Sequence, residues 1–263
     1  MNRNARSRAV ENPRQPMLPR PDRDALLSAY KRLFEHYGPQ SWWPANLAVA
    51  RRRRGALGEA PGEASIDEIA IGAVLVQHTS WRNVEHAIER LADSGVTRLA
   101  EVGTLAERDL AERSRPAGPP SVKAKRLLAV AAFANRVGGL RTYLSDVSDR
   151  RVALRKREEL LGVHGVGPET ADCLLLYGGG APLPVVDAYL RRVLRRHGWL
   201  DADAPYDALA EPMAEVFGEA AQRHNEWHAL IVRLGVEHCK ARRPRCAGCP
   251  LESLLPCGGP ASE

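Results

Sequence analysis

Apolar residues along this chain recur at intervals of three and four rather than two. From residue 65, Ile66, Ile69, Ala73 and Val74 fall on helical spacing, and Ser65 followed by Glu68 has the form of a capping box, which predicts a helix start there. The run IAIGAVLV is apolar nearly all round, the pattern of a helix buried on every side. KAKRLLAVAAFANRV (123–137) and VALRKREELL (152–161) keep the helical period, with Gly138-Gly139 and Gly162 as stops. In AYLRRVLRRHG, Arg192, Arg195 and Arg196 stand at i, i+3 and i+4 and form a basic stripe. Trp227, Leu230, Ile231 and Leu234 give a further apolar face. No segment alternates with the two-residue period of a strand, so the predicted class is all-α.

Composition narrows this only a little. With 263 residues, 44% apolar and 27% charged, the chain can bury a substantial core. A net charge of +6 favours a polyanionic partner without naming one. Residues 1–22, with five arginines and four prolines, read as a disordered basic tail. Arg51–Arg54 followed by GALGEAPGEAS reads as a surface loop whose charge is either solvated or turned to phosphate. No apolar run approaches the roughly 18 residues of a membrane span, and the N-terminus lacks an apolar signal region. The expectation is a cytoplasmic protein with no membrane contact.

Two stretches carry candidate chemistry. In GVHGVGPETADC, Gly165 and Gly167 are expected to permit positive φ and close backbone approach, and Pro168 suits a first helical turn. A tight turn feeding a helix N-terminus presents amides to an anion, or is simply a helix–helix connection. The second stretch is Cys239-x6-Cys246-x2-Cys249-x7-Cys257, which gathers four of the five cysteines. Crowding of this kind in an intracellular chain favours a metal over disulfides, and the spacing leaves zinc and [4Fe–4S] both open. Cys173, inside DCLLLY, reads as a small buried residue.

Together, LLGVHGVG-x-x-TA, then VVD ending at Asp187, Gln77 in AVLVQHTSW, and the segment FGEAAQRHNEWHALIVRLGVEHC with its cysteines resemble the helix-hairpin-helix DNA glycosylases of the endonuclease III superfamily. The resemblance spans about residues 28–257. It implies two helical domains with the active-site cleft between them and a [4Fe–4S] cluster on Cys239, Cys246, Cys249 and Cys257. One domain would be discontinuous, from 23–64 and 186–258, and would carry the cluster loop (239–257). The other, 65–185, would be a helical barrel containing the hairpin (152–177), and 259–263 would be a tail. The last cysteine gap is two residues longer here than in the family pattern, which bears on Cys257.

The same resemblance implies residue roles. Asp187 is the expected catalytic carboxylate. Gly165, Val166, Gly167 and Thr170 of the hairpin, Gln77, and the Arg192, Arg195 and Arg196 stripe are the expected DNA contacts. Bifunctional members carry a lysine where this chain has Glu169, and a glutamate cannot form an imine with the sugar. A monofunctional enzyme is therefore expected, working with a downstream abasic-site endonuclease and acting as a nucleoid-associated monomer on double-stranded DNA. Trp42, Trp43 and Pro44, with His78, Trp81 and Glu169, are the expected base pocket, a Trp face suiting a cationic ring. The order of these motifs resembles the 3-methyladenine branch and points to an alkylated purine, although Pro119-Pro120 replace an aromatic common in the family. The alternatives are a non-catalytic iron–sulfur DNA-binding protein, or a glycosylase for another damaged base with weak abasic-site lyase activity.

Overall fold

A computed structural model describes residues 23–40, 43, 63–201, 203–257 and 259–260. The basic tail, the Arg51–Arg54 loop, Trp42 and Pro44 lie outside the described residues. Helices, turns and irregular segments make up the described structure, and no strand occurs in it. The helices are α1 (Arg23–Tyr37), α2 (Glu63–Leu75), α3 (Trp81–Asp93), α4 (Leu99–Val102), α5 (Glu107–Ser114), α6 (Pro120–Arg136), α7 (Leu140–Tyr143) and α8 (Arg150–Leu161). They continue as α9 (Pro168–Cys173), α10 (Ala188–Arg196), α11 (Tyr206–Phe217) and α12 (Ala221–Glu237).

Helix α2 begins at Glu63, so Ser65 sits inside it and is not the N-cap expected from the capping-box pattern. The all-round apolar reading of this helix does hold, because Ile69, Ala70, Ile71, Ala73, Val74 and Leu75 are all buried. Helix α8 starts where Asp149 accepts a hydrogen bond from the Arg151 amide at 2.8 Å, an ordinary acidic N-cap.

Apolar side chains fall into distinct clusters. One, drawn from α2 to α9, includes Leu75, Leu91, Leu127, Phe133 and Leu174. A second joins Leu26 and Leu33 of α1 to Leu190, Leu209, Trp227 and Leu234 near the other end of the chain. A smaller one, with Ile69, Ala73, Leu176, Tyr177 and Val185, has Trp43 packed against it. The segment Ala181–Asp187 runs between these clusters without helical structure and is buried throughout. Such a segment must satisfy its amides internally. Pro182 and Pro184 carry no N–H, which reduces the demand. Ala181 donates to the Leu175 carbonyl at 3.0 Å, Leu183 to Ala181 at 2.8 Å, and Val186 to the Tyr206 hydroxyl at 3.1 Å.

Between α9 and this segment, Leu174–Gly178 winds as a π-helix. Wide turns of this kind are rare and frequently accompany functional sites. Here the turn places Tyr177 in the small cluster, against Trp43.

Candidate active site

Asp187 is the N-cap of α10: its Oδ1 accepts from the Leu190 amide at 2.7 Å. The capping bond fixes one carboxylate oxygen at a helix N-terminus, where negative charge is favoured. The other, Oδ2, lies 3.4 Å from His228 Nε2 on α12. The residue is 7% exposed, so its charge acts in a weakly screened setting.

Glu169 opens toward this group from the first turn of α9. It is exposed, yet near enough to Asp187 for the two charges to interact. Desolvation, and then the Asp187 charge, push its carboxyl up to about 7, against the pull of His228 and Arg191. At neutral pH the site therefore pairs an acid near half-protonation with a separate carboxylate. The sign for stability follows. The folded protein holds more protons than the unfolded chain between the ordinary value of 4.5 and about 7, so stability falls as pH rises through that window. Glu169→Gln is expected to raise the melting temperature above this window and to leave it unchanged below it, as read by thermal denaturation against pH.

The hairpin turn is held from behind. Gly165 has φ +83°, and a Cβ there would lie 2.2 Å from Arg126 Cγ, so only glycine fits. Gly167 differs from the expectation: its φ is −94° and ψ 178°, extended backbone open to any residue. No atom lies within 4 Å of where its Cβ would be, which leaves open space on that side of the turn. Gly167→Leu is thus expected to leave the melting temperature unchanged. It should weaken binding to duplexes of any sequence by about tenfold, the order of one lost charge-assisted contact, as read by fluorescence anisotropy.

Gln77 acts inside the protein. Its Nε2 donates to the Gly165 carbonyl and to Thr170 Oγ1, each at 2.9 Å, and its Oε1 accepts from Arg126. The amide thus ties the end of α2 to the hairpin, and entering DNA would require breaking these bonds. Lys123 supports the same corner. Its buried ammonium donates to the carbonyls of Val74 (3.2 Å), Leu75 (3.1 Å) and Gln77 (2.6 Å), serving the carbonyls that a helix end leaves unpaired. Burial lowers its pKa to about 8.

Of the expected base pocket, Trp43 and Trp81 meet edge to face with centroids 4.9 Å apart, and Trp43 also lies 5.2 Å from the Tyr177 ring. Trp43 packs over Gly72, where a Cβ would come within 3.1 Å of the indole. His78 is exposed, in the left-handed region at φ 56°. Val166 is buried in the larger core beneath the turn.

The arginine stripe is corrected by its partners. Arg196 is buried and donates to the Lys240 carbonyl at 2.7 Å, the Ala241 carbonyl at 2.8 Å and Cys239 Sγ at 3.4 Å. Arg192 donates to the Cys239 carbonyl at 2.6 Å, and Arg195 pairs with Asp203 at 2.9 Å. Two of the three therefore hold the cysteine loop rather than face outward together.

Within that loop, Cys239, Cys246 and Cys249 line one cavity with Leu234, Leu251 and Leu255, whereas Cys257 is exposed and outside it. Among the described residues, no three His, Cys, Asp or Glu side chains are grouped closely enough to hold a metal ion. Donor chemistry fits a thiophilic metal or cluster, with Arg196 beside one sulfur, and completing the set requires Cys257 to turn inward.

Sequence reading missed Tyr177, His228, Asp172 and Arg157. Arg157 of α8 is buried between Asp172 of α9 and Asp207 of α11, at 2.7 Å from each. Tyr206 lies on the same network, hydrogen-bonded to Asp172 and accepting from the Val186 amide next to Asp187.

Comparison with known proteins agrees with this geometry. Residues 71–219 match the HhH-GPD superfamily base excision DNA repair protein model. A Methanocaldococcus jannaschii protein named as a DNA repair glycosylase is 34% identical over 234 residues, which is 88% of this chain and 96% of that one. Endonuclease III of Thermotoga maritima is 27% identical over 188 residues, 70% of this chain and 80% of its own. A solved endonuclease III–DNA covalent intermediate superposes with a TM-score of 0.66 at 18% identity, covering 89% of this chain and 95% of that one. Helicobacter pylori 3-methyladenine DNA glycosylase bound to 1,N6-ethenoadenine gives 0.60 at 24% identity, covering 82% and 97%. At these identities the solved structures establish the fold. With its hairpin, its aspartate-capped helix and the matched model, the chain belongs to the HhH-GPD superfamily of base excision DNA repair proteins, as a DNA N-glycosylase.

Proposed function

We propose that this glycosylase is monofunctional and hydrolyses the N-glycosidic bond of an alkylated purine flipped out of duplex DNA. The observation that carries the reading is the pair of carboxylates, Asp187 capping α10 and Glu169 opening α9, whose charges interact, with His228, Tyr177, Trp43 and Trp81 in successive ring contact leading away from Asp187. Asp187 supplies fixed negative charge to the sugar as its bond to the base breaks and orients or deprotonates the attacking water. Glu169 offers no amine, and Lys123, the buried lysine of the neighbouring helix, is committed to three carbonyls. With a glutamate at position 169, strand cleavage through an imine lacks the amine that bifunctional members carry there, and an abasic-site endonuclease must act next. An alkylated purine already carries positive charge, so an aromatic wall with Trp43 and Trp81 attracts it without a strong acid for the leaving group. The name of the H. pylori protein, a 3-methyladenine DNA glycosylase, supports this choice.

Cys239, Cys246, Cys249 and Cys257 would hold a [4Fe–4S] cluster, which would stiffen the loop carrying Lys240, Arg242, Arg243 and Arg245. Anaerobically purified protein is expected to contain about four iron atoms per chain and to lose them in Cys246→Ser, as read by elemental analysis. Stoichiometric zinc in their place would contradict the cluster. For the reaction, duplexes carrying single defined lesions are incubated with enzyme and released base is identified by mass spectrometry. Release of 3-methyladenine or a related alkylpurine supports the reading. Release of another base only reassigns the lesion, and binding with no release would make the chain a non-catalytic DNA-binding protein.

A further inference from the structure

Asp187 is held on one side by a backbone amide and on the other by a buried ring whose own hydrogen bonding is set elsewhere. His228 Nδ1 is hydrogen-bonded to the Tyr177 hydroxyl, 51 positions away in sequence and delivered by the π-turn. The other ring nitrogen, Nε2, is sealed from solvent, makes no regular hydrogen bond, and lies 3.4 Å from Asp187 Oδ2. A buried polar atom left in that state is costly and calls for an explanation.

We propose that His228 and Tyr177 are positioning residues for the reaction, the Tyr177 hydroxyl fixing the tautomer in which His228 Nε2–H faces Asp187, donates to that carboxylate and holds it aimed. The proposal rests on Asp187 being the catalytic carboxylate. Its logic is that of paired ring nitrogens. A phenol that donates to Nδ1 obliges a neutral imidazole to carry its proton on Nε2, and a protonated ring, the form that pulls on Glu169, carries one there in any case. Tyr177 is suited to donate, because complete burial pushes its phenol well up and keeps it protonated. The charged and titratable groups around the pair are Glu169 and Cys173 from α9, Asp187 and Arg191 from α10, and Glu226 from α12. Of these, Glu169 and Glu226 bring negative charge near the pair when ionised.

The test is single-turnover base release by the full-length protein from a lesion-bearing duplex, between about pH 5 and about pH 9. His228→Phe is expected to lower the plateau rate by about tenfold to a hundredfold, less than the roughly hundredfold to thousandfold lost with a donor to the reacting group itself, because His228 acts through Asp187. It should also move the acid limb of the profile up by about one pH unit. His228→Gln, which returns an N–H near Nε2, is expected to restore most of the plateau and the limb. Tyr177→Phe should move the limb in the same direction by a smaller amount, and it keeps the test open if His228→Phe does not fold. A limb that stays in place in both His228→Phe and Tyr177→Phe overturns the proposal, whether the rate is unchanged or falls uniformly with the melting temperature. Wild-type activity in Asp187→Asn would instead remove the underlying assignment, whatever the histidine variants do.

Discussion

Asp187→Asn is expected to lower base release by about two orders of magnitude or more while leaving the fold and the affinity for abasic DNA in place. The substitution keeps the shape of the side chain, and an amide oxygen still accepts from the Leu190 amide, so the cap on α10 survives. It removes the charge that acts on the sugar as positive character develops there. Because the residue is 7% exposed, solvent does not replace that charge, and the loss falls on the chemical step. Phosphate contacts position the duplex without the carboxylate, so binding is retained. Single-turnover base release and equilibrium binding, measured on the same preparation, separate the two effects. Activity within a few-fold of wild type would remove Asp187 from the mechanism.

The second large effect is structural. Asp172→Ala is expected to destabilise the protein by about 3–5 kcal/mol, because it strands the Arg157 guanidinium without its buried partner. Arg157 retains Asp207, but that carboxylate is 76% exposed and its attraction is screened by water. Burial pushes the Asp172 carboxyl up to about 6 despite the guanidinium beside it, so the pair tolerates its setting only as a unit. The damage should also reach the site, since Tyr206, hydrogen-bonded to Asp172, accepts from the amide that precedes Asp187. Urea denaturation measures the stability loss. A double variant replacing Arg157 and Asp172 with apolar residues of similar volume should recover much of it, which a loss of packing alone would not.

Some of this was legible in the sequence because it is local. The hairpin was readable from Gly165, whose φ of +83° and contact with Arg126 admit no side chain. Asp187 stood out as a lone acid after PLPVV, and the structure makes it a helix cap. Helical period located α2, α6, α8, α10 and α12, with α2 starting at Glu63 rather than at the apparent capping box, while α1, α3, α4, α5, α7 and α11 were not read from it. What escaped depends on which distant side chains meet. Tyr177 and His228 read as apolar-run and helix-face residues until a π-turn and the packing of α12 bring them together. The arginine stripe gave the right helix but the wrong partners, because the cysteine loop folds back onto it. Gln77 likewise has the expected place, while its amide proves to be bound by Gly165, Thr170 and Arg126.

Borohydride trapping during turnover tests the central claim most directly. Wild-type enzyme, lesion-bearing duplex and borohydride are incubated together, and the products are resolved for protein–DNA adducts, free base and strand breaks. A monofunctional hydrolase releases the base, leaves an intact abasic strand and gives no trapped adduct. A robust wild-type adduct, with cleavage at the abasic site, would show an amine acting on the sugar and would contradict the assignment built on Glu169 and Asp187.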